Sequence, residues 1–173
     1  MKYYFPETDN CFVCGKDNIK GLHQYSFFED GYVKLKFIAS NYMSGYTDMM
    51  HGGIAATILD EVMTWAAFVY GSEMRLYFTR EMRVKYKRAI LLNNNTYIAK
   101  ASYVTTRKRL VFVDSVFIDK DNVIYAKSDA SYYPASREMS IEGFKHAYYE
   151  KDKAYHPKIY KALKEFNLSI DIH

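Results

Sequence analysis

The residues best suited to chemistry lie between His51 and Asp60, in the run His-Gly-Gly-Ile-Ala-Ala-Thr-Ile-Leu-Asp. Adjacent glycines, Gly52 and Gly53, open a long apolar stretch that is typical of a helix. The first turn of a helix has unpaired backbone N–H groups and a partial positive charge, and glycine lets a ligand approach that backbone closely. Asp60 follows a little over two turns later and could serve as a nucleophile or a base. Such N–H donors and a nearby carboxylate are what acyl transfer or thioester hydrolysis needs.

Segment 53–70 is predicted to be one long, largely buried helix. Its polar residues before Tyr70 follow the spacing i, i+3, i+4, i+7 and form one stripe: Thr57, Asp60, Glu61 and Thr64. The stripe fits a solvent-facing or interface side, or a functional acid at a subunit boundary. Glu61 points in a different direction from Asp60 and is the alternative interface acid. Two adjacent acids would be costly in lipid, so we expect no membrane span.

Composition limits the class of protein. A chain of 173 residues with 49% hydrophobic and 17% aromatic residues is long and apolar enough for one domain with a real core. The net charge of +4 suits a protein that meets phosphorylated small molecules and does not call for nucleic acid. The first residues lack the apolar segment of a signal peptide, so we expect a cytoplasmic protein with reduced cysteines.

The two cysteines form the motif Cys11-Phe-Val-Cys14-Gly. Structural zinc needs four ligands, and the chain has no second cysteine pair to add to these two and His23, so we expect no metal site. A thioredoxin-like role would need a strand–helix setting, whereas a turn sequence follows here. We expect a structural loop, with metal or redox chemistry as the alternatives.

Strand patterns flank the helix on both sides. The predicted strands are Leu22–Phe28, Tyr32–Ile38, Leu76–Tyr86, Thr96–Thr106, Leu110–Asp119 and Val123–Tyr133. In the third strand, alternation places Phe78, Met82, Val84 and Tyr86 on one face, and Thr79, Glu81, Arg83 and Lys85 on the other. Short turns make neighbouring strands antiparallel. The sequence therefore predicts an α+β fold in which one apolar helix packs in a curled antiparallel sheet of about six strands.

Pro134 is expected to close this domain, which spans residues 1–134. Residues 135–173 are predicted to be a helical C-terminal extension, which could cover the sheet or a neighbouring subunit. One helix is predicted over Ser140–Lys151, and a second begins at Pro157, where proline suits the first helical position.

Several motifs in this order carry a family resemblance. They are the segment Cys11–Gly15 followed by Gly21-Leu22, the pair Gly45-Tyr46 ahead of His51-Gly52-Gly53, and the strand that opens at Thr79. Between Cys11 and Pro134 the chain resembles the hotdog-fold acyl-CoA thioesterases, and in particular the PaaI-like branch of the hydroxybenzoyl-CoA thioesterase superfamily. The resemblance implies hydrolysis of an acyl-CoA thioester without a cofactor.

The resemblance also implies residue roles. Asp60 matches the catalytic acid, and Gly52 and Gly53 match the turn whose backbone N–H polarises the thioester carbonyl. His51 matches the histidine that shapes this turn, although it could simply cap the helix. Thr79 matches a hydroxyl that orients water near the acid. In the family the glycine turn and the acid come from different subunits, so we expect a homodimer or a homotetramer.

The substrate loop, Ser44-Gly45-Tyr46, departs from the family pattern. Relatives usually carry Gln or Asn at the position of Ser44, and a hydroxyl is shorter than an amide. A non-catalytic acyl-CoA-binding protein of the same fold is therefore an alternative function. A structural protein and a hotdog dehydratase are two further alternatives. The basic run Arg107–Arg109 is expected at a hairpin tip, either solvated or in contact with coenzyme A phosphates.

Overall fold

The structure, a computed structural model, describes residues 1–170, and the last three residues of the predicted extension lie outside it. The elements in chain order are β1 (Tyr3–Tyr4), β2 (Glu7–Thr8), β3 (Ser26–Glu29), β4 (Tyr32–Ile38), β5 (Ser44–Tyr46), β6 (Met49–Met50), α1 (Gly52–Tyr70), β7 (Tyr77–Tyr86), β8 (Thr96–Arg107), β9 (Leu110–Asp119), β10 (Ile124–Pro134), α2 (Arg137–Lys145), β11 (Ala147–Tyr148) and α3 (Pro157–Glu165). The predicted order of two strands, a long helix and four strands is confirmed, with short strands added around it.

Helix α1 is the centre of the core. Its apolar side chains recur every three or four residues and are buried: Ala55, Ile58, Leu59, Val62, Met63, Ala66, Ala67 and Phe68. They pack against β4, β7, β8 and β9. With 19 residues and a mean hydropathy of 1.3, α1 is the one helix within residues 1–170 that is long and apolar enough to cross a membrane. Its packing against the sheet is that of the core helix of a globular domain.

The main sheet has seven strands in the order β1-β3-β4-β8-β9-β10-β7, all antiparallel. The predicted α+β architecture is confirmed, and β4 and β9 have the predicted bounds. The predicted strand Leu22–Phe28 is wrong at its start. The N–H groups of Leu22 and Gln24 bond instead to the carbonyls of Phe12 and Val13, each at 2.8 Å, so this stretch packs on the N-terminal loop.

Strand β7 contains a bulge that the alternation rule missed. Glu81 pairs with Ser131 and Thr79 pairs with Tyr132, so Arg80 is an extra residue on β7. The bulge reverses the side-chain alternation between Thr79 and the residues that follow. Thr79 and Tyr86 therefore both contact α1, and the prediction that they lie on opposite faces is wrong.

The C-terminal segment packs on the same core. Helix α2 begins where the Ser136 hydroxyl accepts the Met139 N–H at 3.1 Å. The predicted bounds Ser140–Lys151 are wrong at both ends, because Ala147–Tyr148 pairs with Glu7–Thr8 as a strand. Helix α3 begins at Pro157 as predicted, and its apolar stripe joins the core: Ile159, Ala162, Leu163 and Phe166.

Helix α3 also stabilises the end of α1. The Lys158 ammonium donates to the carbonyls of Val69 and Gly71, in the last turn of α1 and just beyond it. A cation suits the negative end of a helix dipole. Burial lowers the pKa of Lys158 to about 8.

Candidate active site

Asp60 lies in a hydrogen-bonded cluster between α1 and the edge of the sheet. The Thr79 hydroxyl and the Tyr132 hydroxyl both donate to Asp60 Oδ1, each at 2.8 Å. Asp60 Oδ2 accepts no hydrogen bond from any described residue, so one oxygen is fixed and the other is open. A carboxylate held in this way can take a proton from water or attack a carbonyl. The prediction that Thr79 lies near the acid agrees with this geometry.

Sequence reasoning missed Tyr132. Its ring is fully buried, and it lies opposite Thr79 across the β7–β10 ladder. Burial, together with the Asp60 charge, raises the pKa of Tyr132 above its usual range, so the hydroxyl remains a donor. The sequence has 18 tyrosines, and none of their local patterns distinguishes Tyr132. Strand register would have identified it, because cross-strand neighbours share a face.

The start of α1 presents the second part of the site. The His51 ring accepts the Gly53 N–H through Nδ1 at 2.9 Å, so His51 is the N-cap residue. The N–H of Gly52 has no hydrogen-bond acceptor among residues 1–170. The Gly52 carbonyl accepts the Tyr86 hydroxyl at 2.6 Å, which fixes the orientation of this peptide. Gly52, rather than Gly53, therefore offers the free donor.

The predicted substrate loop lies against this helix start. A Cβ at Gly45 would lie 2.9 Å from the Cα of His51, so glycine allows the close approach of the two segments. The Ser44 hydroxyl donates to the Tyr46 carbonyl at 2.9 Å and so contacts its own loop. The Tyr46 ring is 80% exposed. The structure thus brings Ser44, Gly45 and Tyr46 together with His51 and Gly52.

A surface cavity of about 440 Å³ opens beside Gly52. Tyr46, Tyr86, Lys87 and Arg88 line it, so a cationic pair lies next to the free N–H. The other basic run that the sequence singled out is a hairpin tip, as predicted, between β8 and β9. There Arg109 forms a bidentate pair with Glu73 at 2.7 and 3.1 Å, so its charge is already matched.

Glu61 lies outside the Asp60 cluster. Its Oε1 accepts the Trp65 indole N–H at 2.9 Å, one turn along α1. Burial raises the pKa of Glu61 to about 8, with smaller contributions from the negative charges of Cys11 and Asp60. That Glu61 is the interface acid stays a prediction. In the structure, Glu61 lies near Cys11 of the N-terminal segment.

The two parts of the site are too far apart to act on one substrate atom within a single chain. Gly52 and Asp60 are eight residues apart on a continuous helix, which is about 12 Å along its axis. An attacking group and an oxyanion donor must both lie about 3 Å from the reacting carbonyl. Within residues 1–170, no group of three or more His, Cys, Asp or Glu residues could hold a metal ion.

Comparison with known proteins agrees with this architecture. Residues 48–126 match a protein family described as the thioesterase superfamily, a stretch that includes both glycines, Asp60 and Thr79. No curated protein sequence gives a significant match to the chain.

Several solved structures share the fold. A thioesterase superfamily protein is 18% identical with a TM-score of 0.63, over 72% of this chain and 60% of its own length. A Streptococcus mutans protein bound to acetyl-CoA is 18% identical with a TM-score of 0.57, over 63% of this chain and 85% of its own. The PaaI protein of the E. coli phenylacetic acid degradation operon is 14% identical with a TM-score of 0.56, over 62% and 75%. The match over residues 48–126 and the shared fold agree with the resemblance seen in the sequence, and the chain has the hotdog fold of these solved structures.

Proposed function

We propose that this protein is a thioester hydrolase that acts on acyl-CoA, with Asp60 as the general base or nucleophile and the Gly52 N–H as the oxyanion donor. The observation that carries the proposal is the asymmetric Asp60 carboxylate. Its Oδ1 is held by Thr79 and Tyr132 at 2.8 Å, while Oδ2 is open. A non-catalytic binding protein would have no need of an acid fixed in this way.

The chemistry needs only groups that the chain supplies. As a base, Asp60 takes a proton from a water molecule, whose oxygen attacks the thioester carbon. The negative charge that develops on the carbonyl oxygen is stabilised by the Gly52 N–H at the positive end of α1. The tetrahedral intermediate then expels the thiolate of coenzyme A. As a nucleophile, Oδ2 would attack directly, and water would hydrolyse the resulting anhydride.

The cavity beside Gly52 supports coenzyme A as the thiol part of the substrate. Lys87 and Arg88 line this cavity, and cationic side chains suit phosphate groups. Both residues are fixed just beyond β7, because their N–H groups donate to the Tyr125 carbonyl at 2.7 and 3.2 Å. A related fold binds acetyl-CoA in the Streptococcus mutans structure.

We also propose that the functional unit is a homodimer or a dimer of dimers. The gap of about 12 Å between Gly52 and Asp60 requires that a second copy supply one of the two groups. Strand β7 is suited to the contact, because among the described strands its ten residues pair only with β10 and leave one edge open. We also propose a cytoplasmic location, where the two cysteines would be held reduced.

The first test is hydrolysis of a panel of acyl-CoA esters of different chain length and aromatic content. Loss of the ultraviolet absorbance of the thioester is the readout, since a thiol reagent would also react with the protein's own cysteines. We expect turnover of at least one ester. Tight acyl-CoA binding without turnover across the panel would instead support the non-catalytic alternative.

A second test removes one N–H group. Gly52 is the first residue of α1, where proline is tolerated, and the residue before it is already extended. Gly52→Pro deletes the proposed donor, whereas Gly52→Ala adds similar bulk and keeps the N–H. We expect kcat to fall by about 10²-fold or more in Gly52→Pro and far less in Gly52→Ala. Equal losses in both variants would show that the N–H is not the catalytic feature.

Mixing two inactive variants tests the shared site. A dimer of one Asp60→Asn chain and one Gly52→Pro chain has one intact site if the acid and the donor come from different chains. Random reassortment should therefore recover about a quarter of wild-type activity. A site contained in one chain would recover none.

A further inference from the structure

The Cys11–Cys14 motif forms a tight turn that the proposed hydrolysis does not use. The Cys11 N–H donates to the Thr8 carbonyl at 2.9 Å, and the Gly15 N–H donates to the Cys11 carbonyl at 3.0 Å. A Cβ at Gly15 would lie 2.5 to 2.6 Å from backbone atoms of Cys11 and Asp9, so the turn requires glycine there. Cysteines three apart in one such turn lie within the reach of a disulfide.

The turn directs hydrogen-bond donors at one sulfur. Cys11 Sγ accepts the N–H groups of Val13 and Cys14, both at 3.4 Å. The Cys14 thiol and these N–H groups lower the pKa of Cys11 to about 6, although burial opposes the shift. The turn therefore favours the thiolate of Cys11, which is the reactive form of the side chain.

Cys14 has the opposite environment. It is buried, and its role as donor to Cys11 together with that burial raises its pKa above the usual range. Neighbouring Glu61 adds to the effect on Cys14. Burial raises the pKa of Glu61 to about 8, which favours the protonated form of Glu61 beside the Cys11 sulfur.

Cys11 is also accessible. It lines a cavity of about 610 Å³ between the N-terminal segment, β7 and α2. The other titratable groups on this cavity are Asp9, Glu142 and His146, and His146 pairs with Glu142 at 3.1 Å. A small oxidant can thus reach Cys11 while Cys14 remains covered.

We propose that Cys11 and Cys14 form a peroxide-reactive dithiol in which Cys11 attacks and Cys14 resolves. The Cys11 thiolate attacks one oxygen of hydrogen peroxide, so that an S–O bond forms, the O–O bond breaks and hydroxide leaves. The hydroxide becomes water by taking up the proton that the Cys11 thiol released to solvent when it ionised. The Cys14 thiol then attacks the Cys11 sulfur, so that an S–S bond forms and the hydroxyl leaves as water with the Cys14 proton. The two thiols lose two electrons, and hydrogen peroxide is reduced to two water molecules. Redox chemistry is one of the alternatives to a structural loop that the sequence left open.

Alkylation of the wild-type protein is the first test and needs no variant. Iodoacetamide labelling between pH 4 and pH 9, read by peptide mass spectrometry, should give Cys11 a midpoint near pH 6. At pH 7 we expect Cys11 to react at least ~10-fold faster than Cys14. A midpoint near the ordinary value of about 8.5, or equal rates at the two cysteines, would overturn the proposal.

Oxidation is the second test. Equimolar hydrogen peroxide should give a chain that is two hydrogen atoms lighter and not cross-linked to another chain by a disulfide. A reductant should reverse the change. In Cys14→Ser, oxidation should stop at a Cys11 sulfenic acid that dimedone captures. Cys11→Ser should react slowly with hydrogen peroxide. Circular dichroism checks that both variants are folded. The proposal fails if the wild-type Cys11 is oxidised to higher oxides and no disulfide forms. Stoichiometric zinc in the purified protein would likewise show that the motif has another role.

Discussion

Replacing Asp60 with Asn is the substitution that separates chemistry from structure most cleanly. The amide has the same shape, and its Oδ1 can accept the Thr79 and Tyr132 hydroxyl groups that now donate to the carboxylate at 2.8 Å. What the change removes is the charge and the basic Oδ2. Loss of a general base lowers rates by 10²- to 10⁴-fold, so we expect kcat to fall by at least ~10²-fold, or about 2.7 kcal/mol in the barrier.

The same contacts set the expected effect on stability. A hydrogen bond to a charged acceptor contributes about 1.5 to 3 kcal/mol and a neutral one about 1 kcal/mol, so two weakened bonds cost about 1 to 4 kcal/mol. Relief of the partial burial of a charge offsets part of this cost. A net loss of about 1 kcal/mol corresponds to a Tm decrease of about 2 to 4 °C for a chain of this size.

The assay compares Asp60→Asn with the matched control Glu61→Gln. Glutamine keeps the oxygen that accepts the Trp65 N–H, and Glu61 lies outside the Asp60 cluster, so we expect kcat of the control to change less than threefold. KM should change little in Asp60→Asn, because the acid acts on the reacting carbonyl and not on coenzyme A. Unchanged turnover in Asp60→Asn would refute the assignment, and a larger loss in Glu61→Gln would move it by one residue. Single turnover in ¹⁸O water distinguishes the two mechanisms, since only the nucleophilic route labels Asp60.

Four further substitutions test separate parts of the structure. Tyr132→Phe removes one donor to Asp60 and should lower kcat about tenfold with little change in KM, and an unchanged kcat would mean that Thr79 alone positions the acid. Ser44→Gln restores the amide usual in the family and should raise kcat by up to about tenfold, whereas equal or lower turnover with an intact fold would favour a differently shaped loop. Gly15→Ala should lower Tm by several degrees in thermal melting, since the added methyl would meet backbone atoms at 2.5 to 2.6 Å and overpacking costs about 1 to 3 kcal/mol. Lys158 has a pKa of about 8 when folded against 10.5 for an ordinary lysine, so the unfolded chain binds more protons between these values. Urea titrations should therefore show the wild type gaining stability relative to Lys158→Met as pH rises through this window, and a constant difference would contradict the lowered pKa.

The sequence predicts the elements whose hydrophobic period is long and regular. Helix α1 and the strands β4 and β9 have the predicted bounds to within one residue, because each buries one face along its whole length. The errors occur where a distant partner decides the local structure. Residues 147–148 leave the helical pattern to pair with residues 7–8, and Leu22–Tyr25 packs on the N-terminal loop instead of extending β3.

The candidate site was predictable in part for the same reason. The glycines, His51 and Asp60 lie in one continuous motif, so their relation follows from helix geometry alone. Tyr132 and the cationic pair of Lys87 and Arg88 reach the site only through strand register and the bulge at Arg80. A one-residue bulge reverses which side chains face the helix, and no local sequence pattern in β7 predicts the bulge.

Helix α1 also keeps the two proposed sites apart within one small domain. Consecutive helical residues point about 100° apart, so Asp60 faces Thr79 and Tyr132 while Glu61 faces Trp65 and the Cys11 turn. The Cys11 charge helps keep Glu61 protonated, and oxidation to a disulfide would remove that charge and lower the pKa of Glu61. Burial, which is the largest cause of the raised pKa of Glu61, would remain. Because Trp65 is the chain's one tryptophan and donates to Glu61, its fluorescence should report this change without any added probe.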